Sequence, residues 1–66
     1  MEELINELVQ QYSNGEITWH DIQDITLAYV MKQDSYKGIV PIEVTRNRIH
    51  KQDAILKEIE KRMEVE

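Results

Sequence analysis

The 66-residue sequence predicts an all-α fold: a small domain of three helices, the last long and amphipathic, with a dimeric helical bundle as its extension. Three observations carry this expectation. Apolar residues recur at steps of three and four through most of the chain, the spacing that lines one side of a helix. The two glycines and the single proline fall between these periodic segments, where turns are needed. Finally, a capping pattern stands at the head of the middle segment, where alternating apolar residues would otherwise also suit a strand.

The first helix is expected over about residues 2–13. Leu4, Ile5, Leu8, Val9 and Tyr12 share one stripe, and Glu2 and Glu3 place negative charge at the N-terminal end of the helix dipole. Asn14-Gly15 should end it, because Gly readily adopts the left-handed conformation that closes a helix.

A second helix is expected over about residues 18–33. Thr18 is the N-cap, Asp21 three residues on is its reciprocal partner, and Ile17 with Ile22 forms a hydrophobic staple. Ile25, Leu27, Tyr29 and Met31 alternate as a strand would, but the cap and the length favour helix. Being apolar on much of its circumference, this helix is expected at the centre of the domain.

Residues 34–41 read as a connection, with Pro41 tolerated in the first turn of the next helix. That helix, about 41–64, would be about 36 Å long at ~1.5 Å per residue. Ile42, Thr45, Ile49, Gln52, Leu56, Ile59 and Met63 follow at alternating steps of three and four, a heptad seam. Because the rod exceeds its predecessors, its far end is expected to lack cover within the chain. A homodimer through Ile49, Gln52, Leu56, Ile59 and Met63 follows, with Arg48 facing Asp53 of the other chain in a parallel pair.

Composition narrows the function. A chain this short buries only about 60% of its unfolded surface, so a partner is expected. Absence of cysteine removes disulfides and thiolate metal sites and points to the cytoplasm. The longest apolar run, Leu27 to Met31, is far shorter than the roughly 20 residues a membrane span needs. No membrane association is expected.

Asn14, Gly15, Ile17 and Asp21 match the second half of a calcium-binding loop, but its leading positions fall on Gln10 and Tyr12, which bring no carboxylate. His20 with Asp24, and His50 with Asp53, supply only two ligands each, short of a metal site. With no phosphate loop, nucleophile elbow or HExxH pattern, the sequence reads as non-enzymatic, with no cofactor.

Two surfaces remain as candidates for binding a partner. Trp19 with Asp21 and Asp24 combines an aromatic anchor with acids suited to a basic protein. Arg46, Arg48 and Lys51 form a basic patch at the start of the last helix that could dock an acidic protein or contact nucleic-acid phosphates. Net charge is −5, and the eight-residue connection is too long for a helix-turn-helix, so nucleic acid is the second choice. The expected function is a small cytoplasmic regulator or inhibitor that binds another protein. Its size, acidity and lack of catalytic signatures look like those of small regulators, including many carried by bacteriophages and mobile elements.

Overall fold

A computed structural model of the chain describes residues 2–64. It is all-helical: α1 (Glu2–Ser13), α2 (Trp19–Asp34) and α3 (Ile42–Glu64), with no strand among the described residues. The segment 25–31, ambiguous by pattern, is helix. At ~1.5 Å per residue, α3 spans about 34 Å. It sets the 39 Å long axis of the molecule.

The helix ends are closed by local chemistry. After α1, Gly15 takes φ 75°. The N–H groups of Gly15 and Glu16 donate to the carbonyls of Tyr12 (3.1 Å) and Gln11 (2.9 Å). This is the Schellman arrangement, which satisfies carbonyls left over at the helix end. At the head of α2, the Thr18 hydroxyl accepts from the Asp21 N–H (3.2 Å) while the Thr18 N–H donates to the Asp21 carboxylate (2.9 Å). The two bonds complete a capping box. At the head of α3, the Pro41 carbonyl accepts from Val44 (3.0 Å) and Thr45 (3.3 Å). Pro41 thus stands just outside the helix, where its missing N–H costs nothing.

α3, not α2, is the central helix: α1 and α2 each pack chiefly against it. Leu8, Ile22, Val30 and Ile59 are fully or almost fully buried, with Ile5, Val9 and Ile55 completing the core. α2 and α3 run antiparallel, since Gln23 near the start of α2 meets Gln52 while Asp34 at its end meets Arg48 near the start of α3. α1 lies over the C-terminal half of α3, where Arg62 donates to Asn6, to Glu2 (3.2 Å) and to Glu58 (3.2 Å). With α3 as its chief neighbour, α2 is covered along one side, and Ile25, Leu27 and Met31 stay exposed.

The expected seam of α3 is rotated. The face turned inward carries Val44, Arg48, Gln52, Ile55 and Ile59, at steps of four, four, three and four, whereas Ile42 and Ile49 are 67% and 58% exposed. The uncovered end of the rod is also the opposite of the one expected. Ile59 is fully buried and Met63 packs on the core, because α1 and the head of α2 cover the C-terminal half of α3, while Ile42 and Ile49 at its other end are left open.

Candidate interaction surface

Arg48, expected to face a partner, is turned into the fold. Its side chain is 10% exposed, and its Nε and Nη2 donate to both carboxylate oxygens of Asp34, with Nη2 to Oδ1 at 2.8 Å. Nη2 also donates to the Tyr36 carbonyl at 3.1 Å. Such a forked, charge-assisted contact is geometrically specific. Asp34 Oδ1 accepts in turn from the Tyr36 N–H at 3.1 Å, which fixes the chain just after α2. The guanidinium, first by its hydrogen bond and further by its charge, holds the Asp34 carboxyl down at about 2 and has its own pKa raised. Arg48 is therefore the lock between the end of α2 and the start of α3. Its Nε and Nη2 are thus engaged within the chain.

Gln52 is likewise used internally. Its Nε2 donates to the Gln23 carbonyl at 2.9 Å and approaches the Thr26 hydroxyl at 3.4 Å, while Thr26, fully buried, donates to the Ile22 carbonyl at 2.8 Å. The polar seam residue fixes register as expected of one, but between α2 and α3 of the same chain. Of the five residues expected in a dimer contact, Ile59, Gln52, Leu56 and Met63 are thus occupied wholly or partly by the chain's own packing, and Ile49 alone is exposed.

The Trp19 group is also partly absorbed. Trp19 is half-buried against the core, its ring edge-on to Tyr12 with centroids 6.2 Å apart. That is a favoured aromatic geometry. Asp21 serves the capping box and Asp24 is exposed. Because α2 and α3 are antiparallel, this group and the Arg46–Lys51 patch lie at opposite ends of α2. Arg46 and Lys51 are exposed; Lys51 lines an open groove of about 450 Å³ with Ile5, Gln33, Ala54 and Ile55.

The joined end of α2 and α3 combines features that lie apart in the sequence. Ile39 is fully exposed at the turn, Tyr36 and Met31 are half exposed or nearly so, and Ile42 follows. Residues 32–51 hold five bases, Lys32, Lys37, Arg46, Arg48 and Lys51, against Asp34 and Glu43, a net charge of +3. The other described residues, 2–31 and 52–64, hold three bases and ten acids, a net −7, so a protein of overall charge −5 carries one basic, apolar end and is acidic elsewhere. The Arg48–Asp34 lock and the positive φ of Gly38 (74°) and Ser35 (62°) shape the loop that presents Tyr36 and Ile39.

No group of three or more His, Cys, Asp or Glu side chains able to hold a metal occurs among the described residues, and Asp21, the last position of the calcium-loop match, is bonded to Thr18. No helix among them is long and apolar enough to cross a membrane. Comparison with known protein families, with curated proteins and with solved structures found nothing that matches this chain.

Proposed function

We propose that the chain is a small, non-enzymatic cytoplasmic regulator or inhibitor that binds another protein through the joined end of α2 and α3. One observation carries this reading: Tyr36 and Ile39 are exposed within the net-positive part of an acidic molecule, and exposed Met31 shares a groove with Tyr36, Lys32 and Lys37. Exposed apolar groups ringed by charge mark interaction surfaces, and the lysines suit a target whose contact face mixes apolar side chains with carboxylates. A nucleic-acid target is less well served, because Arg48 is bound to Asp34 and leaves Arg46 and Lys51 as the exposed bases of the helical patch.

The test is capture from nuclease-treated cell extract by the immobilised chain and by an Ile39→Glu, Lys37→Glu variant, with circular dichroism confirming that both are folded. The proposal expects a protein retained by the parent chain and lost with the variant. Retention of nucleic acid from untreated extract, weakening as salt rises, with no protein held specifically, would replace it with the nucleic-acid reading.

A further inference from the structure

We infer that a second copy of this chain packs antiparallel along the outer stripe of α3, about a two-fold axis near Ile49. The inward face of α3 runs through Val44, Arg48, Gln52, Ile55 and Ile59, yet the helix carries a second apolar row, Ile42, Ile49 and Leu56, spaced by seven. At about 100° per residue this row points roughly a quarter-turn away from the inward face. Its first two members are exposed and its third, half-buried, packs partly on the core, so the fold leaves Ile42 and Ile49 unused. A row repeating every seven residues suits another helix laid along it.

Charge selects the second copy and its direction. Arg46 and Asp53 are also seven apart and lie along the solvent side of the row, both exposed. In an antiparallel pair, residues on the same edge meet, so Arg46 falls opposite Asp53 of the other copy and Asp53 opposite its Arg46, while Ile42 falls opposite Leu56 and Ile49 opposite Ile49. A parallel pair sets the two Arg46–Asp53 edges on opposite sides of the seam, where they do not meet. Asp53 already pairs with Lys57 at 3.0 Å, but both side chains are mostly exposed. A screened pair of this kind is worth little and yields readily. At the scale of the described residues, the antiparallel arrangement sets each +3 end beside the other copy's −7 portion, whereas a parallel one stacks like on like. The row spans about 21 Å, which places the contact at the small, weak end of specific interfaces. This association uses α3 and holds whatever the Met31–Ile39 end binds.

Sedimentation equilibrium over about 10–500 µM, the range of a weak interface, tests it. The parent chain should approach twice its 7.9 kDa mass. Ile49→Glu should weaken association at least about tenfold with an unchanged circular dichroism spectrum. Arg46→Asp and Asp53→Arg should each weaken it about fivefold, and the two together should restore it to within about threefold of the parent. A parent chain that stays at 7.9 kDa, an Ile49→Glu variant that associates as tightly as the parent, or a combined variant weaker than either single one overturns the inference.

Discussion

Truncating Ile59 and truncating Ile49 should have very different consequences, although both belong to the heptad pattern of α3. Ile59 is 0% exposed, within a core to which all three helices contribute. Ile→Ala there removes three side-chain carbons, worth about 2.4 kcal/mol at about 0.8 kcal/mol each. The cavity left behind brings the loss to about 3–4 kcal/mol. At roughly 0.05–0.15 kcal/mol per residue, a domain of this length has only about 3–10 kcal/mol in total. Ile59→Ala therefore leaves the protein marginal or unfolded. Ile49 is 58% exposed. The modest burial lost there is largely offset by the higher helix propensity of Ala, so Ile49→Ala should change stability by less than about 0.5 kcal/mol. Urea titration followed by far-UV circular dichroism, at low micromolar concentration where self-association adds nothing, measures both. Equal losses, or a larger loss at Ile49, would refute the rotated packing of α3.

Three further outcomes follow from the caps and the lock. Ser35 closes α2 at φ 62°. That conformation is costly for a residue with a Cβ, so Ser35→Gly should raise stability by about 0.5–1 kcal/mol, and a lower urea midpoint would contradict this. Thr18→Ala and Asp21→Ala should each cost about 1 kcal/mol, and the double variant clearly less than their sum, because each removes half of one reciprocal pair. Losses below about 0.3 kcal/mol in both single variants would show that the box is not formed. Asp34 has its pKa lowered from 3.8 to about 2, so the lock contributes fully above pH 3.8 and its contribution is lost as pH falls toward 2. Acid titration should show stability falling through that window in the parent chain and a flatter profile in Asp34→Asn; identical profiles would exclude Asp34 as the source.

The helices were legible because their ends are written locally. Gly15, the Thr18–Asp21 pair and Pro41 act within a few residues of themselves, and aliphatic periodicity supplies the segments between. Which face of α3 turns inward was not legible. Counting aliphatics aligns Ile42, Ile49, Leu56 and Ile59, whose mean direction is roughly 80° from the face the fold uses. That face includes Arg48 and Gln52, which read as solvent or seam residues until Asp34, 14 positions away, and the Gln23 carbonyl, 29 positions away, are brought to them. A buried Arg gives no periodic signal; its partner exists only in three dimensions. The same limit hid the joined end of α2 and α3: the segment 34–41 read as a connection, and only the antiparallel hairpin sets the start of α3 beside the end of α2, where Met31 and Tyr36 share a groove with Lys32 and Lys37.

α3 has two apolar faces, one spent on the fold and one, at Ile42 and Ile49, left exposed. The chain contains no cysteine, so thiol reactivity of single variants reads each face directly. At low micromolar concentration, Ile42→Cys and Ile49→Cys should react with a thiol reagent almost as fast as an unfolded peptide, and Ile55→Cys at least about tenfold more slowly, since that site opens only with local or global unfolding. Protection at position 49 together with free reaction at position 55 would contradict this division of the two faces.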